Sequence, residues 1–198
     1  MRTAFCFDLD GTLTTSEILP CIAAELGLAS EMAVLTRLTM EGHIGFEDSF
    51  RLRCAILGTV PPERVREIVA EIPLEPSLLA FVKERSADCY LVTGNLNIWI
   101  MPIVEVCGAK LFSSVATAAN GKVILESILN KGTAVAELRK SYDRIVAVGD
   151  GANDVPMLRA ADVAIAFGGV HSPAPIATQT ARYIIHEGAS LCRLLQTL

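Results

Sequence analysis

Three short runs, residues 3–7, 89–92 and 145–148, are apolar or β-prone throughout, and each stops abruptly in a polar, glycine-bearing turn. Such runs, lacking the in–out alternation of a half-wet strand, read as strands buried on both faces. Strands of that kind belong to parallel sheets, and between these three the spacing of apolar residues turns helical. The alternation predicts an α/β chain: a doubly wound, mostly parallel sheet with helices on both sides. In such sheets ligands gather outside the carboxyl ends of the strands. The polar punctuation falls there: Asp8 and Asp10 after the first run, Thr93 and Asn95 after the second, Asp150, Asn153 and Asp154 after the third.

The long interval after the first strand carries only helical patterns. A helix capped by Ser16 and stopped by Gly27 is followed by predicted helices over 30–41 and 46–57, and by one opening at Pro61-Pro62. The rest alternates, with helices expected over 78–85, 98–106, 132–139, 155–160 and 190–196. A short strand over 110–113 precedes a hairpin with arms 115–119 and 122–125, turning at Asn120-Gly121. Two further strands are expected over 163–166 and 183–185. Nothing in the 198 residues repeats.

Composition removes several function classes. The net charge of −5 has no basic stripe to bind nucleic acid, and no apolar run is long enough for a membrane span. Met1-Arg2-Thr3-Ala4 leads straight into a strand rather than a signal peptide. Six cysteines without CxxC spacing read as reduced core thiols, which implies a cytoplasmic protein. His43, His171 and His186 lack metal-ligand spacing and read as structural or surface residues. Trp99 reads as core.

The strand-end residues make a chemical set. Asp8 and Asp10 would be aimed together by strand alternation. Thr93-Gly94-Asn95 offers a hydroxyl and backbone N–H groups at a helix start, suited to a phosphate oxygen. Lys131 adds a cation, and Asp150 and Asp154 add acidic oxygens. Oxygen-only ligands favour a hard cation, Mg²⁺ in a cell. An aspartate ionised at neutral pH can attack phosphorus without a base, once metal and lysine offset the repulsion. A neighbouring carboxyl can then protonate the leaving alkoxide and later take a proton from water.

Asp8-Leu-Asp-Gly-Thr, Thr93-Gly-Asn, Lys131 and Gly149-Asp-Gly-Ala-Asn-Asp, in this order, resemble the four motifs of the haloacid-dehalogenase superfamily of aspartate-nucleophile phosphatases. The resemblance implies a Rossmann-like core over residues 1–13 and 75–198, with a small helical cap over 14–74. It implies Asp8 as nucleophile and metal ligand, and Asp10 as general acid/base with its carbonyl on the metal. Thr93, Gly94 and Asn95 would bind the phosphoryl group and Lys131 would neutralise it. Asp150 would hold Mg²⁺, with Asn153 in the substrate site and Asp154 in support.

The insert is similar to the cap of the phosphoserine-phosphatase branch, which implies Glu17 on the substrate amine and Arg53 on its carboxylate. Thr93-Gly94-Asn95 departs from that branch's usual Ser-Gly-Gly and puts a side chain near the substrate. The expected partner is a small phosphate ester, and the expected state a monomer or small homo-oligomer. A phosphotransferase, a sugar-phosphate phosphatase or mutase, and a non-catalytic binding protein on the same fold stay open.

Overall fold

The computed structural model describes residues 2–119 and 121–198. Seven strands build one sheet: β1 (Thr3–Phe7), β2 (Cys89–Leu96), β3 (Lys110–Ala119), β4 (Lys122–Ser127), β5 (Arg144–Gly149), β6 (Val163–Phe167) and β7 (Tyr183–Ile185). Their order is β4-β3-β2-β1-β5-β6-β7, parallel except where β4 runs antiparallel to β3. The order reverses between β1 and β5, and the crevice of an open sheet forms at such a reversal.

The side chains of β1 divide the core. Phe5 and Phe7 enter one apolar layer, where each meets Phe81 edge-on, at 5.2 and 6.1 Å between ring centres. Ala4 and Cys6 point into the other layer, whose small residues let the helices approach closely. Helices α5 (Pro76–Glu84), α6 (Asn97–Cys107) and α10 (Gly188–Leu195) cover the first face; α7 (Lys131–Leu138), α8 (Val155–Ala160) and α9 (Pro175–Thr180) cover the second.

Between β1 and α5 the chain makes four helices, α1 (Ile18–Ala23), α2 (Ala29–Met40), α3 (Phe46–Leu57) and α4 (Pro62–Ala70). It leaves and returns at one place. Thr14 pairs with Leu74 as an antiparallel bridge, flanked by Thr15 N–H to Pro73 O and Glu75 N–H to Leu13 O, both 2.9 Å. The insert shares the first apolar layer, in which Ile18, Phe50, Leu57 and Val69 cluster with Leu96 and the fully buried Trp99.

Several local expectations need correction. The strand expected over 110–113 and the first hairpin arm are one ten-residue strand, β3; the turn residue Asn120 lies outside the described residues. α9 was not foreseen, because its sequence has no apolar face and only Ala177 is buried. α5 starts two residues earlier than expected, at Pro76, with the Glu75 carboxylate accepting from Leu78 N–H at 2.6 Å. α1 starts at Ile18 rather than after Ser16, and its cap comes from elsewhere. The Asp10 carboxylate accepts the Ile18 N–H at 2.7 Å, a long-range cap that local spacing cannot reveal.

Candidate active site

β1 ends at Phe7, and Asp8 hangs its N–H on Val148 O of the neighbouring β5 at 2.9 Å. The chain then turns. Asp10 (φ −68°, ψ 124°) and Gly11 (φ 69°, ψ 0°) occupy the two central positions of a type II turn, whose second position needs positive φ. Strand alternation therefore does not aim the two carboxylates together, contrary to the sequence expectation. The turn sends Asp8 toward Lys131 and Asp10 toward Asn95, yet both line one cavity. Thr14 Oγ1 stitches the loop, accepting from Gly11 N–H and donating to Leu9 O.

Lys131 opens α7 and is buried. Its Nζ donates to Asp8 Oδ1 and Asp154 Oδ1, both at 2.5 Å. Asp154 spends its other oxygen on the N–H groups of Asp150 and Gly151, at 2.9 and 2.8 Å. With both oxygens engaged, Asp154 buttresses the cluster and fixes the loop after β5. Asp150 Oδ1 is met by the Thr12 hydroxyl at 3.3 Å.

Negative charge exceeds positive in this dry space. Burial pushes the Asp8 carboxyl up to about 7, the Asp154 charge adds to this, and Lys131 only partly offsets it. Burial and then Glu17 push Asp10 up to about 8. Asp150 is also raised, by burial first and then by Asp8. Burial alone would lower the Lys131 ammonium, but Asp154 and Asp8 outweigh it and hold it above its ordinary value. The expectation that Asp8 ionises unaided at neutral pH thus needs more positive charge than Lys131 supplies. Asp8, Asp150 and Asp154 offer carboxylate oxygens within 4.8 Å of one another. An all-oxygen, anionic, buried donor set fits a hard divalent cation.

Thr93 to Asn95 belong to the end of β2, and α6 begins only at Asn97, so the helix-start expectation is corrected. The pairing of β2 with β3 breaks register between Thr93 and Leu96, a bulge that turns this segment toward the cavity. Asn95 Nδ2 donates to Asp10 Oδ2 at 3.0 Å, while its Oδ1 is buried without a protein partner. A Cβ at position 94 would stand 2.4 Å from Phe46 Cζ, so glycine lets the α3 aromatic close over the bulge.

From the insert, Arg53 is buried and its guanidinium is braced by Ser49, Thr39, Thr36 and Leu35 O. Burial lowers its pKa, and the charges of Asp10 and Glu17 pull it back up. Glu17, Arg53, Thr93, Gly94, Asn95, Asp150 and Asn153 all line the cavity that holds Asp8 and Asp10. The structure therefore gathers every candidate site residue of the sequence at one cavity, with Lys131 and Asp154 directly behind it.

One residue was missed. His43 is exposed beside Glu41 at 3.5 Å, and His186 Nδ1 lies 3.4 Å from Gly168 O, in line with a surface reading. His171 differs: its Nε2 stands 3.0 Å from Glu17 Oε1 and 3.3 Å from Asp150 Oδ2. The hydrogen bond to Glu17 raises its pKa. The only sequence signal was its place just past the carboxyl end of a strand, where the other site residues also lie.

The sequence profile of haloacid dehalogenase-like hydrolases matches residues 5–159. A phosphoserine phosphatase of Methanocaldococcus jannaschii is 31% identical over 200 residues, covering 94% of this chain and 89% of its own. One from Halobacterium salinarum is 32% identical over 178 residues, covering 82% and 84%. A solved phospho-aspartyl intermediate analogue of phosphoserine phosphatase superposes with a TM-score of 0.84 at 29% identity, across 100% of this chain and 98% of that one. A substrate-bound phosphoserine phosphatase gives 0.84 at 28%, over the same shares. With most of its length matched and its motifs meeting at one sheet edge, the chain belongs to the haloacid dehalogenase-like hydrolase family.

Proposed function

We propose that the protein is a Mg²⁺-dependent phosphomonoester hydrolase that works through an aspartyl phosphate on Asp8, with phosphoserine as its substrate. The observation that carries this is the division of labour between the two aspartates: Asp8 is buried and salt-bridged to Lys131, whereas the half-buried Asp10 lies away from that lysine, held by Asn95 Nδ2 and Ile18 N–H in the same cavity. Bound to Asp8 and Asp150 with the Asp10 carbonyl, Mg²⁺ would offset the carboxylate charge and polarise the phosphoryl oxygens.

The chain's own groups do the rest. Lys131 and the Thr93 hydroxyl face the phosphoryl oxygens, and an Asp8 oxygen forms the new bond to phosphorus as the ester P–O bond breaks. Asp10 gives its proton to the leaving alkoxide. The resulting carboxylate then takes a proton from the water that attacks phosphorus, which frees Asp8 and releases inorganic phosphate. Asn95 fixes the rotamer of Asp10, and the backbone N–H of Ile18 pins the other oxygen.

Residues 14–74 act in this reading as a cap that excludes bulk water. The substrate assignment is supported by the named relatives and by the pairing of a cationic Arg53 with an anionic Glu17 across one small cavity. A zwitterionic amino-acid ester presents the complementary charges. We place the protein in the cytoplasm, as a monomer or small homo-oligomer; six free cysteines suit a reducing compartment. Among the described residues no helix is long and apolar enough to cross a membrane.

Rapid quenching of the protein with phosphoserine and Mg²⁺, followed by peptide mass spectrometry, is expected to find the phosphoryl group on Asp8. Asp8→Asn is expected to fold normally and to lose both the adduct and turnover. Label on another side chain, or turnover by the variant, would remove the covalent mechanism.

A further inference from the structure

We propose that His171 is a positioning residue for substrate recognition: its imidazole holds the Glu17 carboxylate in the orientation in which that carboxylate takes the substrate's ammonium group. This rests on the reading of the cavity as a site for an amino-acid phosphate ester.

The loop that carries His171 is fixed at both ends. Gly168 N–H donates to Ile185 O at 2.8 Å, and Ala174 N–H donates to Asp150 O at 2.7 Å. The second bond ties the loop to the backbone of a motif residue, so the imidazole is placed by the frame of the site. Nδ1 lies 3.3 Å from Ser172 O, which leaves Nε2 toward the carboxylates. The contact to Glu17 Oε1, at 3.0 Å, is shorter than the 3.3 Å to Asp150 Oδ2, so Glu17 is the imidazole's nearer carboxylate. Gly11 makes the approach possible: a Cβ there would stand 2.9 Å from His171 Nε2.

Glu17 needs such a partner. It occupies the residue before α1, but its side chain makes no capping bond. Among the described residues, His171 alone meets its carboxylate within hydrogen-bond distance. With Oε1 held by the imidazole, Glu17 is kept at the wall of the cavity that it shares with Arg53, and Oε2 is left for a second donor. One carboxylate then serves two donors, one supplied by the protein and one by the substrate.

The test compares phosphoserine with phosphoglycolate, which keeps the carboxylate and lacks the amine, using the full chain with Mg²⁺. His171→Ala is expected to raise KM for phosphoserine about tenfold, the usual scale for losing one charge-assisted hydrogen bond. For phosphoglycolate KM should move by less than about threefold, and kcat should change little beside KM for either ester. His171→Gln, whose Nε2 reaches the same point, should recover most of the loss. Glu17→Gln should separate the two esters in the same sense, and adding His171→Ala to it should cost nothing further. If His171→Ala affects both esters equally, or acts on kcat, while Glu17→Gln still separates them, the proposal fails and the substrate reading stands. If Glu17→Gln does not separate the esters, the amine reading fails and takes the proposal with it.

Discussion

At Lys131 one ammonium stands between two carboxylates, and none of the three meets solvent appreciably. Such a cluster adds little stability over an apolar replacement of all its members, because desolvation offsets most of the attraction. Removing one member is another matter. Lys131→Met would leave Asp8 and Asp154 facing each other without a counter-charge, an arrangement that costs about 3–5 kcal/mol. Urea unfolding at pH 8 should register a loss of that size, and Asp154→Asn added to Lys131→Met should return part of it. A loss below about 1 kcal/mol would mean that the carboxylates find another partner. The meeting of Asp8, Asp10 and Asp150 in one cavity was open to inference from sequence because strand ends deliver side chains to one edge whatever the details of packing. The Asp10–Ile18 cap, the Asn95–Asp10 bond and His171 were not, since each joins residues brought together only by the closed fold.

Among the elements, α3 reaches the bulge at the end of β2 through one aromatic side chain. Phe46 stacks on Phe50 at 5.5 Å, and the pair closes the cavity by laying the Phe46 ring against Gly94. Gly94→Ala inserts a methyl where 2.4 Å is available, so the Phe46 ring has to shift off the bulge. Overpacking of this kind costs about 1–3 kcal/mol, and here it falls on the wall that carries Arg53. Thermal unfolding should show the destabilisation, and KM for phosphoserine should rise with it. Phe46→Leu in the same chain should restore stability by making room; no recovery would place the fault in the backbone of the bulge. The same region marks the limit of local sequence reading. Sequence shows the glycine at 94 and suggests exposed N–H groups at a helix start. What constrains it is a ring more than forty positions away, whereas α3 itself is legible over 46–57, up to Gly58, without any tertiary knowledge.

For the molecule as a whole, the cluster of carboxylates at the reversal of strand order makes stability, pH and cation binding one problem. Asp8, Asp10 and Asp150 are all held above the ordinary carboxylate range, with Asp8 at about 7 and Asp10 at about 8. Unfolding returns each to about 3.8, so between roughly pH 4 and pH 8 the folded chain keeps protons that the unfolded chain releases. The stability they confer is full below that window and is lost as pH rises through the folded values. The protonated His171 acts in the same sense, because its pKa too is raised in the fold. A divalent cation needs these carboxylates ionised, and its binding therefore competes with the same protons. After treatment with a chelator, the melting temperature should fall from pH 5.5 to pH 8. Added Mg²⁺ should raise it little at the lower pH and substantially at the higher, by ~2.7 kcal/mol of stability when present at a hundred times its dissociation constant. Asp150→Asn should shrink both the fall and the Mg²⁺ response. A melting temperature that climbs with pH in the chelated protein, or a Mg²⁺ effect equal at both values, would separate the carboxylates from the cation and leave the buried charge without a counter-ion.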